Sequence, residues 1–263
     1  MFSSRFFRKY LIHQFIASSA HGLHSPFVFM FYNDLLRGAS PVEGSGNWEQ
    51  IRENLKADHT QLQIVDLGAG SQLHKSDLRQ ISDIARNALK PARLARFLYR
   101  LVKYQQPEII IELGTSLAIT SLYMAGAASG SGFYTIEGSS AVATVARKVI
   151  AQSGLENLTL LTGNFDDLLP ELISQITTDN FLLYIDGNHQ KEATLRYFRL
   201  ALEKGGDKTV IIFDDIHWSV GMDEAWAEIR KHPRVTITID MFFMGIVYLN
   251  RAFTKEDFRL RYW

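Results

Sequence analysis

No cysteine occurs among the 263 residues. That excludes disulfides, thiolate zinc sites and a cysteine nucleophile, and it leaves the redox compartment undetermined. An excess of charge is missing too. Lys plus Arg and Asp plus Glu both number 28, so no global field favours nucleic acid or an anionic membrane as a partner. No window approaches the roughly 18 apolar residues of a membrane span. Arg5, Arg8 and Lys9 precede YLIHQFIASSA in the outline of a signal peptide, but His13 and Gln14 interrupt its apolar part. A cytoplasmic enzyme is the default expectation. Internal repeats and low-complexity tracts are also absent.

What is present is an ordinary globular composition, 46% hydrophobic and 21% charged. At this length one large domain, or one with an appendage, can bury a full core. Residues 1 to about 60 are rich in aromatics, among them Phe2, Phe6, Phe7, Tyr10, Phe15, Phe27, Phe29, Phe31 and Tyr32. They read as helical pieces packing across another element, broken at His21-Gly22-Leu23-His24-Ser25-Pro26, with a loop at Gly38–Gly46. His21 and His24 have no nearby acid, which favours turn and capping roles over metal ligation.

The chain is organised around Pro107–Ser121, PEIIIELGTSLAITS. Ile109, Ile110 and Ile111 form the β-branched run of a strand buried on both faces. Glu112-Leu113-Gly114 turns the chain, and a helix is predicted from Thr115 to Ala127. A strand, a tight glycine turn and a helix N-terminus make a cradle for a nucleotide or carboxylate, because the first helical turn offers N–H groups and partial positive charge. A rival begins at Gln63-Ile64-Val65-Asp66-Leu67-Gly68-Ala69-Gly70. A second strand ending in an acid should follow such a start within about 20–25 residues, and none does. Residues 62–106 therefore read as an ordered loop and two helices, with Gly68-Ala69-Gly70 left as a candidate backbone nest.

Strands are predicted at 108–112, 132–136, 157–162, 180–185 and 208–213, alternating with helices at 116–128, 139–153, 166–175, 189–204 and 219–231. Such alternation means right-handed βαβ units and a mostly parallel sheet. The last two strands, 235–239 and 244–249, have only a short link and are expected to be antiparallel. The expected fold class is α/β: a Rossmann-like seven-stranded sheet of five parallel βα units plus a C-terminal hairpin. An N-terminal helical or lid region at 1–106 would precede a cofactor-binding domain at 107–263.

Ligands of such sheets bind beyond the carboxyl ends of the strands. Glu112, Gly114, Thr115 and Ser116 follow the first strand. Glu137 and Gly138 follow the second, and Glu137 lies 23 positions beyond Gly114, a spacing suited to a carboxylate that accepts from two ribose hydroxyls. Asn164, Phe165 and Asp166 follow the third, where they would meet an adenine; the alternative is that Asn164 caps the next helix and Phe165 is core. Asp186 ends the fourth strand, and Asp214 with Asp215 ends the fifth. Three carboxylates at adjacent strand mouths repel unless a pKa rises or a cation binds, and all-oxygen ligation selects a hard ion such as Mg²⁺. His189, three residues past Asp186, is the candidate base, with His217 its rival.

These residues resemble the class I S-adenosylmethionine (SAM)-dependent O-methyltransferases, especially the Mg²⁺-dependent catechol and caffeoyl-CoA group. IELGTSLAITSLYMA is similar to that family's first motif, YTIEG to its ribose-binding strand end and GNFDDLLPEL to its adenine-side loop; YIDGNH and FDDIHW are similar to its two metal-bearing strand ends. The resemblance covers roughly 107–250. It implies a SAM cofactor held by Glu112, Gly114, Thr115, Ser116, Thr120, Glu137, Gly138, Asn164, Phe165 and Asp186. Asp186, Asp214 and Asp215 would be metal ligands, and the methyl acceptor a small hydroxylated molecule. His189 falls where the catechol enzymes carry a lysine, and Ala118 replaces the second glycine of the first motif, which would narrow the room near the cofactor. HGLHSPF resembles the leader of some bacterial methyltransferase-like proteins and carries no substrate with it. The competing readings are a methyltransferase-fold binding protein without turnover, a metal-independent methyltransferase, and an NAD-dependent oxidoreductase. The last lacks G-x-G-x-x-G after the 108–112 strand.

Overall fold

The computed structural model describes residues 4–64 and 78–262. Its helices are α1 Ser4–Ile16, α2 Pro26–Met30, α3 Ser45–Ala57, α4 Ile81–Asn87, α5 Ala92–Gln105, α6 Ile119–Ala127, α7 Ser140–Ser153, α8 Phe165–Gln175, α9 Lys191–Lys204 and α10 Val220–Lys231. The strands are β1 Gln61–Gln63, β2 Leu78–Gln80, β3 Ile109–Leu113, β4 Gly132–Glu137, β5 Leu158–Thr162, β6 Phe181–Ile185, β7 Val210–Asp214, β8 Ile237–Asp240, β9 Met244–Tyr248 and β10 Glu256–Arg259. They pack as two compact units, Ser40–Ser174 and Met1–Ala39 with Gln175–Trp263. The α/β class and the mainly parallel strand pairing are as expected.

In the 40–174 unit, β3, β4 and β5 run parallel, with Ile111 opposite Tyr134 and Tyr134 opposite Thr159. Ile110, Ile111 and Leu113 are fully buried, each stabilising the fold by about 1.5–3 kcal/mol relative to exposure. Helix α5 buries Leu94, Leu98, Leu101 and Val102 along one stripe, the i, i+4, i+7, i+8 spacing of an amphipathic helix. Trp48 of α3 stacks edge-on against Tyr123 of α6 at 4.9 Å, and Gly126 leaves the room that its indole fills. Between 62 and 106 the chain also forms a feature absent from the expectation. β1 and β2 pair antiparallel, Gln61 opposite Gln80. The Gly68-Ala69-Gly70 nest lies outside the described residues.

In the other unit β6 and β7 are parallel, β9 is antiparallel to both β7 and β8, and β10 adds parallel to β8. The C-terminal antiparallel pair is thus as expected, and β10 is a strand beyond those expected. Glu256-Asp257-Phe258-Arg259 is mostly charged and exposed; it pairs through its backbone, which the side chains do not announce. Helix α1 is held by aromatic contacts of Phe6 with Phe242 at 5.1 Å and Trp218 at 5.9 Å. The expectation that the N-terminal aromatics pack across another element therefore holds for Phe6 and Tyr10 of this helix, whereas Phe7 and Phe15 are exposed. No helix among the described residues is long and apolar enough to cross a membrane.

Candidate active site

The end of β3 is shaped by backbone conformation. Gly114, Ser116 and Ala118 have φ of 101°, 50° and 64°, so three left-handed residues within five turn the chain sharply before α6 begins at Ile119. The helix expected from Thr115 is delayed by that turn. Gly114 and Thr115 both donate their N–H to the Ile136 carbonyl, at 2.9 and 3.2 Å, locking the turn to β4. Thr120 stands in the first turn of α6, where helix N–H groups lack intrahelical partners. Ala118 is fully buried within the hydrophobic core cluster, so its methyl group packs among core side chains.

Glu137, at the end of β4, is the best-positioned carboxylate of this set. Its Oε2 accepts from the Ser116 N–H and its Oε1 from the Ser139 N–H, both at 2.9 Å. These two backbone bonds fix the orientation of the carboxylate at the strand end. The side chain is half-buried. Glu112 behaves differently. It is 1% exposed, and its Oε2 accepts from the hydroxyls of Ser121 and Thr135. Thr115 extends the chain by a 2.6 Å contact between its hydroxyl and that of Thr135. Burial pushes the Glu112 carboxyl up from 4.5 to about 7, against the Ser121 and Thr135 hydrogen bonds that lower it and with the neighbouring Glu137 charge adding to the rise. Of the residues expected to hold a cofactor, Glu112 therefore faces inward and braces the turn from behind. Asn164 takes its capping alternative: its Oδ1 accepts the Asp166 N–H at 3.0 Å, and its carbonyl receives Asp167 and Leu168. Phe165 opens α8 half-buried rather than in the core, and Gly138 is likewise half-buried.

In the other unit, the ends of β6 and β7 and the loop before α9 gather Asp186, His189 and Asp214, one donor atom of each lying within 4.8 Å of the others. Asp214 is 2% exposed. The Tyr184 hydroxyl donates to Asp186 Oδ2 at 3.0 Å. His189 Nε2 lies 4.0 Å from Asp186 Oδ1 and 3.9 Å from Asp215 Oδ2. Asp215 itself stands outside the three-residue group; it has φ 52° and donates its N–H to the Phe243 carbonyl at 2.6 Å. In the same loop Asn188 Oδ1 is buried without a hydrogen-bond partner. Two carboxylates and an imidazole so grouped form a donor set that suits a divalent cation. His189 stands where it can serve as proton acceptor or as ligand.

The rival base is committed elsewhere. His217 Nδ1 lies 2.6 Å from Asp223 Oδ1, and its Nε2 lies 3.0 Å from Asp240 Oδ2. Asp240 also meets His13 Nε2 at 3.2 Å, and Asp223 meets Arg5 and Lys9. Burial raises the Asp240 carboxyl, but hydrogen bonds and charge from His13 and His217 outweigh it and hold the group well below 3.8. With its ring nitrogens facing Asp223 and Asp240, His217 bridges α10 and β8, and Arg5, Lys9 and His13 tie α1 to the same two carboxylates. This ladder was not foreseen; its members are far apart in sequence and carry no motif.

Residues 111–216, which carry these strand ends, match the family described as a methyltransferase domain. The resemblance to the class I SAM-dependent methyltransferases is thus supported over the stretch that holds both sets of residues. The chain is similar to the catechol O-methyltransferase of Niastella koreensis, 31% identical over 123 residues, 46% of this chain and 55% of that protein. It is also similar to the transmembrane O-methyltransferase homolog of Rattus norvegicus, 35% identical over 83 residues, 30% of this chain and 32% of that one. The chain therefore spans about half, or less, of the length of these curated relatives. Its fold is that of the O-methyltransferase from Bacillus cereus solved in complex with SAH, at TM-score 0.55 and 21% identity over 84% of this chain and 97% of that one.

Proposed function

We propose that this protein is a SAM-dependent methyltransferase that methylates a small hydroxylated acceptor at oxygen, assisted by a divalent cation. The observation that carries the reading is Glu137, fixed at the end of β4 by two backbone N–H groups, inside a stretch that matches a methyltransferase domain. That arrangement fits a vicinal ribose diol. Gly114, Thr115, Ser116 and the first turn of α6 with Thr120 would hold the amino-acid end, since a glycine turn lets the backbone approach and helix N–H groups attract a carboxylate. Gly138, Asn164 and Phe165 would border the nucleoside. Bound SAM would supply an electrophilic sulfonium methyl, and a cation among Asp186, His189, Asp214 and Asp215 would lower the pKa of an acceptor hydroxyl. The relatives named as O-methyltransferases support transfer to oxygen.

Calorimetric titration with SAM and with NAD tests the cofactor. Binding of SAM and not of NAD is expected, and the reverse overturns the proposal. Turnover on a panel of hydroxylated acceptors separates an enzyme from a binding protein of the same fold. Full activity in EDTA would remove the cation and leave the methyltransferase reading intact.

A further inference from the structure

We infer that His189 is a metal ligand, and that the cluster at the ends of β6 and β7 selects a first-row transition dication over Mg²⁺. The inference rests on the cation-assisted reading above and changes both the role of His189 and the identity of the ion. Sequence spacing offers three aspartates, an all-oxygen set. The folded chain adds an imidazole to that set: Asp186, His189 and Asp214 group within 4.8 Å, and His189 Nε2 lies 3.9 Å from Asp215 Oδ2. Asp215 follows Asp214 directly, adopts φ 52° and is tied by its N–H to Phe243.

Bonds of about 2.1 Å place any two donors of one ion no more than about 4.2 Å apart. His189 Nε2, at 4.0 Å from Asp186 Oδ1, is already inside that limit. The group as a whole needs a contraction of only about half an ångström, which a small side-chain rotation supplies. The donor chemistry then decides the metal. Mg²⁺ demands oxygen ligands and gains little from imidazole, whereas Mn²⁺, Co²⁺ and Zn²⁺ bind mixed nitrogen and carboxylate sets with rising affinity toward Zn²⁺. Asp214 is 2% exposed, where negative charge is costly without a cation beside it. A nitrogen lone pair given to the ion is not open to take the acceptor's proton, so the ligand role displaces the base role at that atom.

The test uses the full chain, stripped with chelator and titrated calorimetrically with Zn²⁺, Mn²⁺ and Mg²⁺. Zn²⁺ is expected to bind about 100-fold or more tightly than Mg²⁺. His189→Ala should weaken Zn²⁺ by about 10–100-fold and leave Mg²⁺ little changed, and His189→Asp should shift preference toward Mg²⁺. Pulsed EPR of the Mn²⁺-loaded wild type should show a directly bound nitrogen that His189→Ala loses; circular dichroism checks that both variants fold. Equal or tighter Mg²⁺ binding, Zn²⁺ affinity indifferent to His189, or Mn²⁺ with no bound nitrogen would overturn the inference. SAM affinity is read separately. Loss of SAM binding with this metal pattern intact sinks the methyltransferase reading alone, and SAM binding without the pattern sinks the ligand role alone.

Discussion

Glu112 makes the stability of the protein depend on pH in a direction opposite to that of most carboxylates. Its carboxyl is raised from 4.5 to about 7, chiefly by burial, so between those values the folded chain holds a proton that the unfolded chain has released. Stability then falls as pH rises. The contribution is complete below about 4.5 and gone above about 7. At 1.36 kcal/mol per pKa unit the change is about 3 kcal/mol. Glu112→Gln isolates it, because the amide keeps one oxygen to accept from Ser121 and Thr135 and cannot ionise. Urea unfolding of both proteins at intervals from pH 5 to 8 gives the difference directly. The wild type should lose about 2–3 kcal/mol relative to the glutamine variant across that range. A flat difference would refute the reasoning, since it would mean that the carboxylate is as well accommodated inside the fold as in water.

Glu137→Ala should weaken SAM binding by about 10–100-fold, the loss of a charged hydrogen bond or two, measured calorimetrically with the fold checked by thermal melting. Asp240→Asn leaves His13 and His217 opposite a neutral amide, and removing one partner of such a buried set costs about 3–5 kcal/mol. It should lower the urea midpoint and expose Ser4–Ile16 to limited proteolysis. Because Asp240 is held below 3.8, its contribution is present above about pH 3.8 and is lost as acid protonates the folded chain; the asparagine variant should show no such acid transition. Gly245→Ala would place a Cβ 2.6 Å from the Trp226 ring, and overpacking of this kind costs about 1–3 kcal/mol, read as a lower melting temperature.

The parts of the fold legible in the sequence are those in which a side-chain pattern causes the backbone state. The β-branched runs at 109–111 and 210–212 produced strands, and the short link before Met244 produced an antiparallel pair. Residues whose structure depends on backbone pairing alone gave no such sign. β1 and β2 are three residues each, and β10 is mostly charged. The start of α6 was misplaced because the left-handed Ser116 and Ala118 are neither glycine nor asparagine, the residues by which such turns usually announce themselves. Ala118 was expected to crowd the cradle. Its methyl group lies in the core cluster, where burial offsets part of the roughly 1–2 kcal/mol that a left-handed alanine costs.

The two sets of strand-end residues differ in legibility for a physical reason. The glycine turn and Glu137 are linked by one βαβ unit, whose geometry converts 23 positions of sequence into a fixed distance across neighbouring strands. The group at the ends of β6 and β7 is not coded in that way. Asp186 and Asp214 close neighbouring strands, but His189 enters from a loop, and its Nε2 comes within 4.0 Å of Asp186 and 3.9 Å of Asp215. A strand end fixes where a residue stands; the loop beyond it fixes which side chains it meets, and residue types alone do not specify that conformation.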